Sequence, residues 1–337
     1  MDKQKVLCVG SMGRDVFFPT SAGAVSEVLD KRLWCFGYGE KIHVSDRYQA
    51  PGGCACNVSV GFARLGIDAT AYGVVGDDSD GIWIKDNLIS NGVDIEHVKI
   101  LKEYNSDISF IIVRENEGDR VIFANRDVGE SLELDKRDVK WYDWVFVGSL
   151  YGDKRLHNMK VLHDLAVNKK ISLMVNPGMS NIKNDIDSVL SMIHHSKILF
   201  VNKFEGKQIL KKSGKDLSVV DSRDEVKIMK FLHDLMMFED SIVVLTFGKK
   251  GAWCYNGKEV YHTKTVEKTV LDTTGAGDAF ASGFASAVIS GLDLIDAMKW
   301  GATNSNSVID SYGAQKGLLL NSEMKDKFDE FSVEKVL

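Results

Sequence analysis

The stretch from residue 271 to residue 284 reads Leu271-Asp272-Thr273-Thr274-Gly275-Ala276-Gly277-Asp278-Ala279-Phe280-Ala281-Ser282-Gly283-Phe284. It predicts a glycine-rich turn and a helix that begins near Ala276. The unpaired N–H groups and dipole of such a helix start bind anions, and Gly275 and Gly277 allow close approach to the backbone. An acid beside a bound phosphoryl group makes sense if Asp278 takes a proton from an attacking hydroxyl. The alternative is an acid that only complements the helix dipole.

The composition narrows the classes of function. The 337 residues are 44% hydrophobic, and 42 basic against 48 acidic side chains give a formal net charge of -6. We expect no nucleic-acid partner, because phosphate contacts need a concentrated basic surface. We also expect no membrane partner and a cytoplasmic location, because the sequence has neither a long apolar span nor a signal-peptide pattern. The five cysteines are interpreted as reduced core residues.

The order of predicted elements indicates an α/β fold. Apolar runs predict strands at residues 5–10, 69–76, 108–113, 144–149, 171–175, 198–201 and 242–247. Helical spacing of apolar residues predicts helices at residues 54–65, 80–91, 155–169, 203–212, 222–237, 276–290 and 293–310. Strands buried on both faces belong to a parallel sheet covered by helices. The alternation predicts a doubly wound, mostly parallel sheet with helices on both faces. The length allows one large domain or two smaller ones.

Two regions, residues 14–50 and 100–126, interrupt this alternation. Alternating residues at 108–113 and 120–124, around the turn at 115–118, predict a β-hairpin. Strands that do not fit the parallel core are expected to form a small separate β-sheet, which acts as a lid over a ligand or as a homodimer surface. The alternative is a β excursion at the edge of the sheet.

Two motifs far apart in the chain resemble the signatures of one family. Asp272 to Asp278 is similar to the second signature of the ribokinase-like, PfkB family of carbohydrate and nucleoside kinases. The first signature is matched by Gly52-Gly53-Cys54-Ala55-Cys56-Asn57, which continues to Ala63-Arg64-Leu65-Gly66. Further matches lie at residues 9–15, 202–205 and 246–252. The resemblance spans nearly the whole chain and implies a single ribokinase-like domain over residues 1–337, with the lid segments inserted in it.

The resemblance implies roles for the residues of both signatures. It makes Asp278 the general base and Gly275, Ala276 and Gly277 the backbone anion hole. Residues that hold the hydroxyl groups of the acceptor map to Asp15, Gly52, Gly53 and Asn57. The residue types agree, since a short acid accepts hydroxyl hydrogen bonds, glycines admit a ring and an Asn both donates and accepts. Without the family, Asp15 reads as a turn acid and Asn57 as a helix-start amide.

The same resemblance implies ATP, Mg²⁺ and K⁺ as cofactors. Glu205 is expected to hold Mg²⁺ through water, which agrees with the few protein carboxylates that this ion commonly takes. Asp272 is expected to hold the monovalent cation, near a loop at residues 311–314. The ATP-binding positions are Asn202, Thr246, Gly248, Gly251 and, near adenine, Asn304. A G-x-x-x-x-G-K-[ST] motif is absent from the sequence, which excludes a P-loop kinase.

The sequence leaves the acceptor open. We expect phosphorylation of a hydroxymethyl group of a small sugar such as ribose or fructose. A nucleoside is the alternative if aromatic lid residues stack on a base, although they equally suit the lid core or a dimer contact; they are Phe17, Phe18, Trp34, Phe36 and Tyr38. A phosphorylated sugar needs a cationic pocket, for which Lys41, Arg47 and Arg126 are candidates or else surface charges. The remote alternative is a non-catalytic ligand sensor on the same fold.

Overall fold

The computed structural model describes residues 4–28, 31–115, 120–168, 170–215, 225–266, 268 and 270–336. Its strands, numbered in chain order, are β1 (Lys5–Val9), β2 (Gly13–Thr20), β3 (Ala24–Val28), β4 (Lys31–Cys35), β5 (Tyr48–Gly52), β6 (Asp68–Gly76), β7 (Asp94–Leu101), β8 (Asp107–Arg114), β9 (Arg120–Asn125), β10 (Trp144–Val147), β11 (Ser172–Val175), β12 (Ser196–Asn202), β13 (Ile242–Thr246), β14 (Ala252–Tyr255), β15 (Val260–Thr263) and β16 (Val333–Lys335). Its α-helices are α1 (Cys54–Arg64), α2 (Ser79–Ser90), α3 (Lys136–Val139), α4 (Arg155–Val167), α5 (Met179–Asn184), α6 (Ile186–His194), α7 (Lys203–Lys212), α8 (Glu225–His233), α9 (Ala276–Ile289), α10 (Leu294–Val308) and α11 (Asn321–Lys327).

A large sheet organises the described residues in the order β16-β15-β14-β13-β12-β11-β10-β1-β6-β7. Neighbouring strands from β7 to β13 are parallel, and β14 to β16 continue the sheet in antiparallel pairs. The predicted mostly parallel sheet is therefore confirmed. The sequence did not predict β7, because this edge strand has many exposed and charged positions and lacks a continuous apolar run.

Helices cover both faces of this sheet, and the side chains of β1 alternate between the two resulting cores. Leu7 and Val9 pack with apolar residues of α4, α6, α7 and α8. Val6 and Cys8 pack with apolar residues of α1, α9 and α10 on the other face. All four side chains are fully buried. Burial on both faces explains the continuous apolar runs that predicted parallel strands.

The predicted lid-like sheet is present and has the order β5-β2-β8-β9. β2 pairs parallel with β8, and β8 and β9 form the expected antiparallel hairpin; its turn, residues 116–119, lies outside the described residues. Residues 100 and 101, which the sequence assigned to the lid, belong to β7 of the large sheet. β3 and β4 form a separate two-stranded sheet.

The aromatic side chains of the lid are divided between its core and its surface. Phe17 is fully buried and packs with Ile111, Val113 and Tyr312, as a lid core requires. Tyr38 is fully exposed. β9 lies at the edge of the lid sheet with several exposed apolar side chains, and a homodimer through this lid stays a prediction. Over the described ranges, no helix is both long and apolar enough for a membrane span.

Candidate active site

The start of α9 leaves backbone N–H groups free for an anion. Gly275 precedes the helix in the left-handed region, with φ of 76°, and a Cβ there would lie 2.2 Å from Cβ of Ala314. The N–H of Ala276 donates to a carbonyl of the preceding turn at 3.3 Å. Those of Gly277 and Asp278 have no hydrogen-bond partner within the described residues. Outside its chain neighbours and its own helix backbone, no atom lies within 4 Å of a Cβ built on Gly277, so there is room beside this turn.

Asp278 lies in the first turn of α9 beside this site. Its Oδ2 accepts a hydrogen bond of 2.8 Å from Nδ2 of Asn57, which lies on α1. Desolvation raises the pKa of Asp278 to about 6, against the opposing effect of the Asn57 bond, and the charge of Asp15 contributes to the rise. A carboxylate with this pKa is ionised at neutral pH and basic enough to accept a proton.

A small pocket lies between the lid and the large sheet. We call it the lid pocket, and it is lined by Ser11, Met12, Gly13, Asp15, Gly53, Asp107, Ser109 and Arg126. Asp15 lies on β2, where it is paired with Ala50 of β5. Burial raises the pKa of the Asp15 carboxyl group. Gly52 is required beside it, since a Cβ there would lie 2.1 Å from Oδ2 of Asp15. Gly53 caps α1, whose first turns carry Asn57, so the four predicted acceptor-binding residues lie close together.

Asp107 belongs to the lid pocket, and the sequence analysis missed it. Its side chain is only 1% exposed; Oδ1 accepts from the Gly129 N–H at 3.0 Å, and Oδ2 has no hydrogen-bond partner in the described residues. Nε of Arg126 lies 3.9 Å from this Oδ2. Burial raises the pKa of Asp107. Asp107 begins a lid strand without a recognisable motif, so the pairing of β2 with β8 was the missing information.

Arg126 is the one predicted lid cation that lines the lid pocket. Its Nη2 donates to Oγ of Ser109 at 3.3 Å, and its Nη1 donates to two backbone carbonyls. Lys41 and Arg47 are exposed and are not lining residues of the pocket. The guanidinium of Arg126 is therefore already engaged by neighbouring acceptors.

The predicted nucleotide-binding residues follow two neighbouring strands of the large sheet. Asn202 and Thr246 are paired in register at the ends of β12 and β13. Asn202 and Glu205 form a capping box, in which each side chain accepts from the other residue's N–H at 2.9 Å. Burial raises the pKa of Glu205. Gly248 and Gly251 form the turn between β13 and β14, so four of the five predicted ATP positions lie at these adjoining strand ends.

Asn304 holds two helices together. It lies on α10, is fully buried, and donates through Nδ2 to the carbonyl of Ala279 at 2.9 Å. Its Oδ1 accepts from the N–H of Leu319 at 3.0 Å. These bonds give Asn304 a structural role, and its predicted contact with adenine stays a prediction.

Asp272 lies in the turn before α9 and is 1% exposed. Its Oδ1 accepts from N and Oγ1 of Thr274, at 2.9 Å and 2.7 Å, and its Oδ2 accepts from the N–H of Gly313 at 3.2 Å. Arg120 of the lid donates to Oγ1 of Thr273 and places Nη1 4.0 Å from Oδ1 of Asp272. A positive charge of the protein therefore already faces the predicted cation-binding carboxylate.

The assembled residues suit transfer of a phosphoryl group. Free amides at a helix start can hold a phosphoryl oxygen, and an adjacent carboxylate can accept the proton of an attacking hydroxyl. The lid pocket supplies acceptors for further hydroxyl groups. Together with the doubly wound sheet and its lid, this arrangement defines a kinase that acts on a small hydroxylated molecule.

Comparison with known proteins identifies the family. Residues 3–320 match the model of the pfkB family carbohydrate kinases, so the chain belongs to this family and is a sugar or nucleoside kinase of the ribokinase type. A similar curated protein is the ATP-dependent ribose-1-phosphate kinase of Halopiger xanaduensis, 26% identical over 260 residues, which cover 76% of this chain and 79% of that protein.

Solved structures share the fold. The Burkholderia thailandensis nucleoside kinase in complex with inosine has a TM-score of 0.78 at 20% identity, with 97% of this chain and 98% of that chain covered. The ribokinase of Cryptococcus neoformans var. grubii serotype A in complex with ADP has a TM-score of 0.74 at 24% identity, with 96% and 99% covered. The predicted ribokinase-like fold is thereby confirmed.

Proposed function

We propose that the protein transfers the γ-phosphoryl group of ATP to a hydroxymethyl group of a small sugar such as ribose or fructose. The observation that carries this proposal is the position of Asp278. Its carboxylate lies in the same helical turn as the free N–H groups of residues 277 and 278. Its pKa of about 6 suits a base at neutral pH.

In the proposed reaction, Asp15, Gly52, Gly53 and Asn57 hold the hydroxyl groups of the acceptor. Asp278 accepts the proton of the attacking hydroxyl as its oxygen forms the new bond to phosphorus. The bond between phosphorus and the leaving ADP oxygen breaks in the same transfer. The free amides of Gly277 and Asp278, in the first turn of α9, stabilise the charge on the transferred group.

The residues present fit ATP and Mg²⁺. Asn202, Thr246, Gly248 and Gly251 lie at adjoining strand ends, where nucleotides bind in open α/β sheets. Glu205 is a nearby carboxylate, and Oε1 is its oxygen outside the capping box. The described residues contain no cluster of three His, Cys, Asp or Glu side chains for a metal. One carboxylate suffices for Mg²⁺, which keeps several waters and neutralises phosphate charge when bound.

Potassium fits less completely at Asp272. Both carboxylate oxygens already accept hydrogen bonds, and Arg120 supplies a positive charge. We therefore propose a weak dependence on a monovalent cation.

A phosphorylated sugar is the second candidate acceptor. It is favoured by the similarity to a protein named as a ribose-1-phosphate kinase and by the cation Arg126 in the lid pocket. A free sugar stays first, because Asp15 and Asp107 would repel a phosphate and the donors of Arg126 are engaged. A nucleoside acceptor is less well supported, because Phe17, a candidate to stack on its base, is packed in the core of the lid.

The test is ADP release from MgATP in the presence of potassium, with a panel of acceptors. The panel contains ribose, fructose, 2-keto-3-deoxygluconate, ribose 1-phosphate, adenosine and inosine. Asp278→Asn serves as the blank, since it keeps the size of the side chain and removes the base. The proposal expects one free sugar to stimulate the wild type alone. Stimulation by ribose 1-phosphate or a nucleoside alone would replace the acceptor class, and equal turnover by Asp278→Asn would remove the proposed base.

A further inference from the structure

A row of amide side chains connects α2 with the carboxylate of Asp278. Nδ2 of Asn87 donates to Oε1 of Gln315 at 2.8 Å. Nε2 of Gln315 donates to Oδ1 of Asn57 at 3.1 Å, and Nδ2 of Asn57 donates to Asp278 at 2.8 Å. We call Asn87, Gln315 and Asn57 the amide relay. It joins three separate segments of the chain.

Chemistry fixes the direction of these bonds. An ionised carboxylate only accepts, so Asn57 must turn its amino group toward Asp278. Its Oδ1 then needs a donor, which Gln315 supplies, and the free carbonyl of Gln315 accepts in turn from Asn87. Nδ2 of Asn91 donates to the backbone carbonyl of Asn87 at 2.8 Å and lies 3.5 Å from Oδ1 of Asn87. Each amide therefore fixes the orientation of the next one.

Burial makes the orientation of Asn57 costly to reverse. Asn57 is 4% exposed and Gln315 is 6% exposed, so water does not readily replace a lost partner. A flipped Asn57 would face Gln315 donor to donor and would point its carbonyl at the carboxylate of Asp278. Loss of Gln315 as a donor removes the group that prevents this flip.

We propose that Gln315 is a positioning residue for proton transfer, because its hydrogen bond keeps the amino group of Asn57 on Asp278 and so holds that carboxylate ionised and oriented. The proposal rests on the proposed function in one respect, the role of Asp278 as the base. It assigns Gln315 no contact with the substrate.

The electrostatic surroundings of Asp278 make this donor important. Within the described residues, Asp278 interacts with the ionisable groups of Asp15 from β2, Glu205 from α7 and Cys54 from α1. Negative charge on any of these disfavours ionisation of Asp278. The Asn57 bond opposes this effect and the larger effect of desolvation. Without it, the pKa of Asp278 must rise.

Three variants test the relay. Gln315→Met removes the donor, and Gln315→Glu replaces it with an acceptor that attracts the Asn57 amino group. The third variant, Asn87→Asp, changes a half-buried residue of α2. It reverses the direction of the hydrogen bonds in the relay, because Gln315 must then donate to the new carboxylate. The control Gln4→Glu makes the same change from amide to carboxylate as Gln315→Glu. Gln4 directly precedes β1, and its side chain accepts from Trp144.

We expect the acid limb of the kcat profile to move upward by about one pH unit in all three relay variants, as loss of a bond to a charged group implies. In the relay variants, turnover at pH 6 should fall several-fold and recover near pH 9. Turnover of the control Gln4→Glu should stay unchanged. A purely structural role would lower the melting temperature and leave the limb in place. That outcome would overturn the proposal.

A second readout needs no turnover. The ¹³C carboxyl resonance of Asp278, assigned by its loss in Asp278→Asn, reports its titration directly. An upward shift of its midpoint in Asn87→Asp and Gln315→Met supports the relay even if no acceptor is phosphorylated. An unchanged midpoint in every folded relay variant refutes the relay even if the kinase reaction is confirmed. The two proposals therefore fail separately.

Discussion

The start of α9 and the lid pocket are built in opposite ways. The α9 site draws on consecutive residues, from Asp272 to Asp278, and its conformation follows from a left-handed glycine at a helix start. The lid pocket draws on four separate segments, at residues 11–15, 53, 107–109 and 126. The first holds free amides and the carboxylates of Asp272 and Asp278, whereas the second holds two carboxylates and a guanidinium.

Under the proposed function, the two regions have different parts in the reaction. Free amides and a base with raised pKa act on the group that reacts. A pocket of fixed carboxylates recognises the hydroxyl groups that do not react. Substitutions at the α9 site should therefore lower kcat, and substitutions in the lid pocket should raise the KM for the acceptor.

The largest effect is expected for Asp278→Asn at the α9 site. Removal of a general base typically costs about 10²- to 10⁴-fold in turnover, while the KM for the acceptor changes little. Steady-state ADP release measures both parameters. Equal changes in kcat and KM would remove the division between the two regions.

Asp15→Asn should act on the lid pocket. Loss of a hydrogen bond to a charged group costs about 1.5–3 kcal/mol, which corresponds to roughly a 10- to 100-fold rise in the acceptor KM. The matched control is Asp293→Asn, because the Asp293 carboxylate lies at the start of α10, outside the lid pocket, and accepts from the N–H of Asp296 at 2.9 Å. A fall in kcat at constant KM would place Asp15 in the chemical step instead.

The pH dependence of kcat tests the base at the α9 site alone. Because the raised pKa of Asp278 is about 6, the active ionised form is lost as the pH falls through 6. Turnover at pH 5 should be about one-tenth of that at pH 8, since one pH unit below a pKa leaves about one-tenth ionised. A flat wild-type profile between pH 5 and 8 would contradict this assignment.

The smallest effect is expected from potassium. Arg120 of the lid already faces Asp272, so replacing KCl by tetramethylammonium chloride should lower turnover about two- to fivefold, the equivalent of a partly exposed charge pair of about 0.5–1 kcal/mol. Arg120→Gln should increase the dependence on potassium. Complete loss of wild-type activity without potassium would show that Arg120 does not substitute for the ion.

Local sequence rules predicted the elements that carry the site. Apolar runs such as 242–247 and the turn before α9 have signals that do not depend on distant residues, and their strands and helix were confirmed. β7 was missed because it is an edge strand whose exposed positions interrupt the apolar pattern. β14, β15 and β16 were missed because runs of three or four residues are too short to show a period. The site roles, apart from the family's kinase activity, stay predictions.

The sequence by itself determined the α/β sheet, the family and the residues of the α9 turn, because each depends on periodicity or on adjacent residues. Only the tertiary structure decided that Asp107 and Arg126 line the same pocket as Asp15. The same holds for the buried hydrogen bond from Asn304 to α9 and for the bond from Gln315 to Asn57. These relations depend on which segments the sheets and helices bring together. Hydrogen bonds between residues such as 57 and 315 leave no periodic pattern in the sequence, since only packing makes them neighbours.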